Sequence, residues 1–252
     1  MTILKEFRPG LWLTELHLDD FDVRGAVIIG EKSAVVWDSL SHPRDMQPVR
    51  VLLAQKEWQL VYSHADWDHV WGTAGLSFQN KIITAYKHCL ARFSDDVPRE
   101  LQEKQADEPD KWNEVVLVPP TQIFETEFSI DLGNVTLILH HLPGHTHDCI
   151  VGFIPEWGVL LAGDTVETPL PVINSESPID DWIVLLQKWA DDARVEHVIP
   201  AHGKIGGREL IWQNVLYLQN LRNGTTFKLP ENMDDFYRET HQENLRLMRG
   251  LG

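Results

Sequence analysis

The residues of this chain best able to do chemistry stand in short blocks, each following an apolar run. His64-Ala65-Asp66-Trp67-Asp68-His69 comes after Trp58-Gln59-Leu60-Val61-Tyr62, and Pro143-Gly144-His145 after Val135-Thr136-Leu137-Ile138-Leu139. Ala162-Gly163-Asp164 follows Val159-Leu160-Leu161, and Pro200-Ala201-His202 follows Val198-Ile199. Such runs read as buried strands, which places His64, Asp66, Asp68, His69, His145, Asp164 and His202 at strand ends. Strand ends on one edge of a layered domain can converge, and imidazole with carboxylate suits zinc, manganese or iron. A pair of such ions makes water reactive at neutral pH. In an extended stretch, side chains two apart share a face, which predicts His64, Asp66 and Asp68 on one side and His69 on the other. Without an ion to compensate them, the acids of this block would set like charges side by side.

At these positions the sequence resembles the metallo-β-lactamase-fold hydrolase superfamily, whose signature is His-x-His-x-Asp-His followed by a distant Gly-His, a Gly-Asp and a final His. Gly72, Pro143-Gly144-His145-Thr146, Leu161-Ala162-Gly163-Asp164-Thr165 and Ala201-His202-Gly203 also fit, and the likeness runs from about Gly10 to Gly207. The resemblance implies an α/β fold, a four-layer αβ/βα sandwich, carrying two divalent metal ions, zinc first with manganese or iron as alternatives. His64, Asp66 and His145 would hold the first ion and Asp68, His69 and His202 the second, with Asp164 bridging. Asp68 would also be catalytic, orienting the attacking hydroxide. The implied reaction is metal-assisted hydrolysis of an ester, thioester, lactone or phosphoester-type bond in a small molecule.

One position departs from the signature. Asp66 stands where most of the superfamily has its second histidine. Two dications, three carboxylates and a hydroxide are formally neutral, whereas the two-carboxylate version carries one positive charge, so the swap weakens the Lewis acid. The hard oxygen ligand also moves preference toward manganese or iron. A carboxylate here is similar to the family's di-iron branch, which makes a di-iron oxidoreductase or oxygen-binding protein the alternative function.

Around the ligands, Trp67 is a candidate substrate-binding surface, His147 a candidate proton donor to a leaving group, and Lys204 a candidate partner for an anionic substrate group. Asp148 is a candidate acceptor for the second N–H of a ligating imidazole. His17, His42, His88, His140, His141, His197 and His241 belong to no spaced set and read as ordinary surface or core histidines.

At 252 residues the chain can bury a substantial core, and no linker or repeat divides it, so a single domain is expected, with a C-terminal helix from about 231 to 248 as an appendage. A formal charge of −16, from 22 basic against 38 acidic residues with no basic stretch, excludes a grip on nucleic-acid backbone. No run of eighteen apolar residues suggests a membrane span. The start of the chain lacks the apolar stretch of a signal peptide, and two cysteines are too few for a disulfide scaffold. A cytoplasmic protein with a small-molecule substrate is the expectation.

The periodicity predicts strands over 11–16, 23–29, 34–37, 59–62, 81–84, 124–130, 135–140, 150–154 and 159–161. Helices are expected over 43–56, in segments to about 105, over 180–191 and over 208–221, the last ending at Asn223-Gly224. Residues 107–112, with Pro109, read as a loop.

Overall fold

Short connections and longer helical crossovers decide the strand order in the computed structural model, which describes residues 1–225, 228–230 and 233–250. β1 (Ile3–Arg8), β2 (Leu11–His17), β3 (Asp22–Ile29), β4 (Ala34–Trp37), β5 (Trp58–Val61), β6 (Ile83–Tyr86) and β7 (Gln122–Phe124) lie side by side in that order. The first four pair antiparallel through tight turns. From β4 to β7 the pairing is parallel, and parallel neighbours need crossovers. These are supplied by α1 (Gln47–Leu52), α2 (Trp67–Val70), α3 (Lys87–Arg92), α4 (Asp96–Asp107) and α5 (Pro109–Trp112). β8 (Glu127–Asp131) follows. β4 and β6 are buried throughout, as parallel strands covered on both faces require, which is why they read as continuous apolar runs rather than alternating ones.

Further along, β9 (Thr136–His141), β10 (Ile150–Ile154), β11 (Val159–Gly163) and β12 (His197–Pro200) belong to a second sheet in the order β12-β11-β10-β9. β11 and β12 are parallel, linked by α6 (Ile179–Asp191). α6 turns Ile179, Trp182, Ile183, Leu186 and Ala190 inward, positions that repeat at helical spacing. α7 (Arg208–Asn223) ends on Gly224 in the left-handed conformation, φ 64°, where glycine carries no Cβ penalty. α8 (Asp235–Gly250) closes the chain and buries Tyr237, His241 and Asn244.

Contacts divide the chain into two compact units, residues 1–18 with 22–136 and residues 19–21 with 137–252. Each has its own apolar core, one around Leu60, Tyr62 and Trp71 and one around Phe153, Trp182 and Leu218. No helix among the described residues is long and apolar enough to cross a membrane. Cys89 and Cys149 are buried and not joined in a disulfide.

Several local expectations need correction. The helix expected over 43–56 is a 3-10 turn, Pro43–Met46, followed by the short α1. Residues 109–112 are helical because Pro109 falls at the first helical position, where its missing N–H costs nothing. The strand expected over 124–130 is two strands, β7 and β8. β1 was not anticipated, and Glu231 and Asn232, the start of the expected last helix, lie outside the described residues.

Gly72 shows how tightly the first unit holds the segment after α2. A Cβ there would lie 1.7 Å from the Ser39 carbonyl oxygen, and the Gly72 amide donates to Leu40 O at 3.0 Å. Backbone cannot yield as a flexible side chain can. Gly72→Ala is therefore expected to destabilise the protein by about 2–3 kcal/mol, measured by urea unfolding; wild-type stability would show that the 39–42 segment is free to shift.

Candidate metal centre

In the first unit, β5 ends at Val61 and the chain bends through Ser63, His64 and Asp66 before α2 begins. Asp66 is extended, φ −68° and ψ 152°, and serves as the residue before the helix. Asp68 and His69 thus sit on a helical turn, which overturns the extended, face-sharing geometry expected for this motif. A four-residue helix rotates successive side chains by about 100° where a strand would alternate them. His64, Asp68 and His69 are buried, and Asp66 is about one-fifth exposed at its side chain, 22%.

Asp38, at the end of β4, organises the two imidazoles. It accepts from the Ser63 amide and the Ser63 hydroxyl, both at 2.7 Å, and from His69 Nδ1 at 2.9 Å. With its proton given to Asp38, the Ser63 oxygen accepts from His64 Nδ1 at 3.0 Å. Both rings therefore carry hydrogen on Nδ1 and a lone pair on Nε2, the form a metal ligand needs. Asp38 is itself held at φ 62°, a conformation that costs a non-glycine residue about 1 kcal/mol or more and persists because these three hydrogen bonds fix it. Ser39 pins the helical turn below, donating its amide to His69 O at 2.7 Å.

Each Nε2 faces a carboxylate. His64 Nε2 lies 3.5 Å from Asp66 Oδ2, and His69 Nε2 lies 3.7 Å from Asp68 Oδ2. The other Asp66 oxygen takes Arg92 Nη1 at 2.7 Å. Arg92, at the end of α3, also grips Asp96 through Nε at 2.9 Å and Nη2 at 2.7 Å, so one guanidinium spans two acids in the fork geometry that lysine cannot reproduce.

The second unit supplies the other three expected ligands from the ends of β9, β11 and β12. Gly144 is needed before His145 because a Cβ would strike the Trp182 ring at 2.5 Å. His145 Nδ1 donates to Val172 O at 3.0 Å, so this ring too is left with its lone pair on Nε2. The acceptor behind this ring is the Val172 backbone carbonyl. Asp164 presents one oxygen to each neighbouring imidazole, Oδ2 at 3.9 Å from His145 Nε2 and Oδ1 at 3.3 Å from His202 Nε2. Phe21 packs edge-on against the His202 ring, centroids 5.1 Å apart.

The four N-to-O separations are alike, and longer than the 2.7–3.2 Å or so of a good N–H···O hydrogen bond. Two ligands each about 2.1 Å from one tetrahedral ion stand about 3.4 Å apart. The chemistry of the donors agrees: with Nδ1 engaged at His64, His69 and His145, Nε2 is the nitrogen that faces a carboxylate. The residues present fit a divalent metal.

Two further acids surround the ligands. Glu167 is fully buried, accepts from Tyr237 Oη at 2.7 Å and from the Val172 amide at 3.3 Å, and burial pushes its carboxyl up against the opposing pull of His202. Glu100, on α4, is pushed up to about 7 by burial and then by Asp66, with Lys104 opposing. Of the candidate substrate residues, Trp67 is half-buried with the Lys104 ammonium 4.5 Å over its ring. His147 is exposed, its carbonyl accepting from His141 Nε2 at 2.9 Å. Lys204 is exposed, its amide donating to Thr168 Oγ1 at 2.7 Å. Sequence reasoning missed Asp38, Ser63, Arg92, Glu100 and Glu167. Only Asp38 left a signal, as a carboxylate directly after an apolar strand.

Comparison with known proteins follows the same lines. The family model of the metallo-beta-lactamase superfamily matches residues 20–251. Among solved structures, a metallo-beta-lactamase from Pontibacter korlensis is similar with a TM-score of 0.71 and 16% identity, over 87% of this chain and all (100%) of that one. The metallo-beta-lactamase FIM-1 from Pseudomonas aeruginosa, in its mono-zinc form, gives 0.68 and 18%, over 87% of this chain and 95% of that one. One from Erythrobacter litoralis gives 0.65 and 15%, over 87% and 96%. No curated protein matches the chain. At these identities the structures speak for the fold, two sheets with helices.

The Glu100 carboxyl makes a pH prediction for metal-free protein. A carboxyl raised from 4.5 to about 7 holds its proton more tightly folded than unfolded, so its stability contribution is full below 4.5 and is lost as the pH rises to 7. Glu100→Gln is expected to flatten that part of the stability profile, read from urea unfolding at a series of pH values. An unchanged slope would put this carboxyl in the ordinary range.

Proposed function

Because the chain belongs to the metallo-beta-lactamase superfamily, matched over residues 20–251, we propose that it is a hydrolase whose seven ligand residues hold two divalent ions. His64, Asp66 and His145 would hold the first, Asp68, His69 and His202 the second, with Asp164 shared between the two sets. The observation that carries this reading is the pairing of each imidazole Nε2 with a carboxylate at the separation of two ligands on one ion. His64 with Asp66 and His69 with Asp68 fall into the two sets, and Asp164 directs one oxygen to a histidine of each.

Arg92 changes the charge account of the Asp66 substitution. Its guanidinium is always ionised and sits on Asp66, so it restores the positive charge that a third carboxylate removes. It also occupies one Asp66 oxygen, which favours single-oxygen ligation by the other. The site's Lewis acidity then resembles that of the two-carboxylate form, which supports zinc as the working metal, with manganese or iron as alternatives.

Bound divalent ions lower the pKa of water and polarise the substrate's carbonyl or phosphoryl oxygen. The chain's own part is to hold the reactants. Asp68, buried but for about 5% of its surface, orients the attacking water, and water adds across an ester, thioester, lactone or phosphoester-type bond, giving an acid and a leaving group. Trp67 offers an apolar face for the substrate beside this carboxylate, His147 a proton for the leaving group, and Lys204 a charge for an anionic end. The acidic surface, with a formal charge of −16, favours a small molecule over a polyanion.

Elemental analysis of metal-loaded protein is expected to give two ions per chain, and chelation to lower the melting temperature until metal is returned. Asp68→Asn is expected to keep most of the metal while lowering kcat by about a hundredfold or more, measured over a panel of ester, thioester, lactone and phosphodiester substrates with zinc, manganese and iron. Metal-loaded protein inactive on the whole panel, or full activity in Asp68→Asn, would refute the reading.

A further inference from the structure

The C-terminal helix, at first sight an appendage, reaches the proposed ligand His145 through two hydrogen-bonded routes. The first runs through Asn244, which is fully buried. Its Oδ1 accepts from the Ile173 amide at 3.2 Å, and its Nδ2 donates to Pro171 O at 2.8 Å and to Tyr217 Oη at 3.0 Å. One side-chain amide thus clamps the backbone on both sides of Val172. Val172 O is the acceptor that holds His145 Nδ1. The second route runs through Tyr237, whose hydroxyl donates to Glu167 Oε1, while Glu167 Oε2 accepts from the Val172 amide. Asn214 of α7 fixes the Glu167 backbone from both sides, accepting from its amide at 3.0 Å and donating to its carbonyl at 2.9 Å. Val172 is therefore held at its own amide by Glu167, which Tyr237 of α8 fixes, and at both neighbouring residues by Asn244 of α8.

We propose that Asn244 and Tyr237 are positioning residues for the metal centre: α8 fixes the Val172 carbonyl, which fixes the proton and the ring orientation of His145. The physical reason is that a ligand's affinity depends on the hydrogen bond behind it. Loss of the partner behind a ligating imidazole typically weakens metal binding about 10–100-fold. The segment 167–173 has no regular structure of its own, so the acceptor is placed by the packing of Leu170 and Ile173 in the core and by these hydrogen bonds. The clamp joins the sequence-distant end of the chain to the one expected ligand that arrives on a turn after β9. This inference rests on His145 being a metal ligand as proposed above.

The test compares wild type, Asn244→Ala, Tyr237→Phe and, as a control on the exposed side of α8, Arg246→Ala. Two quantities are read: zinc affinity by competition with a chromophoric chelator, and exchange of the imidazole Nδ1–H protons by NMR. Asn244→Ala is expected to weaken zinc binding about 10–100-fold and to speed exchange of the His145 proton about tenfold or more, with the His64 and His69 protons unchanged. Tyr237→Phe, which preserves shape, is expected to act in the same direction, and Arg246→Ala to change neither quantity. Should Asn244→Ala fail to fold, Tyr237→Phe decides alone. Folded variants with wild-type affinity and wild-type His145 exchange would overturn the proposal, as would equal changes at all three imidazoles, which mean general loosening. If wild type binds no zinc, the metal reading falls by itself, and His145 exchange in metal-free protein still judges the clamp.

Discussion

Which nitrogen of each histidine carries the proton is the constraint from which the rest of the centre follows. An imidazole can offer a metal only the nitrogen that lacks hydrogen, and in water the two forms of the ring lie close in energy. Asp38 and Ser63 settle the matter for His64 and His69, and the Val172 carbonyl settles it for His145. All three acceptors are held by further hydrogen bonds, so the choice is made before any ion arrives. The left-handed backbone of Asp38 is the local cost of this arrangement.

The second theme is compensation of charge. A carboxylate in place of an imidazole at position 66 would, by itself, neutralise the centre and repel the neighbouring acids. The chain answers with Arg92, whose fork takes Asp66 and Asp96 together. A carboxylate held by a fixed guanidinium is a different ligand from a free one, because one of its oxygens is already committed. Glu100 feels the same crowding from the other side: burial and then Asp66 drive it toward the neutral form, against the weaker pull of Lys104 and Arg92.

Much of the fold was legible because its strands carry the pattern that burial imposes. β4 coincided with its expected bounds, and β2, β3, β10, β11, α6 and α7 lay within a residue or two of theirs. Errors fell where local chemistry competes with the pattern. Pro109 starts a helical turn that read as a loop, and the ligand motif itself curls into α2 although alternation suggested a strand. The seven proposed ligand residues stood out by type and spacing, and the family's model covers them. The residues that support them did not. Asp38 precedes His69 by 31 positions, Val172 follows His145 by 27, and Asn244 lies 71 positions beyond Ile173.

Sequence by itself thus determined the family, the strand ends that carry the proposed ligands and the substitution at position 66, because these are properties of residue type and order along the chain. Tertiary structure alone decided which nitrogen His64, His69 and His145 expose, which cation offsets Asp66, and that the last helix stands behind His145. Those outcomes depend on hydrogen bonds a few ångströms long between segments far apart in sequence, and no single-chain periodicity records where such segments meet.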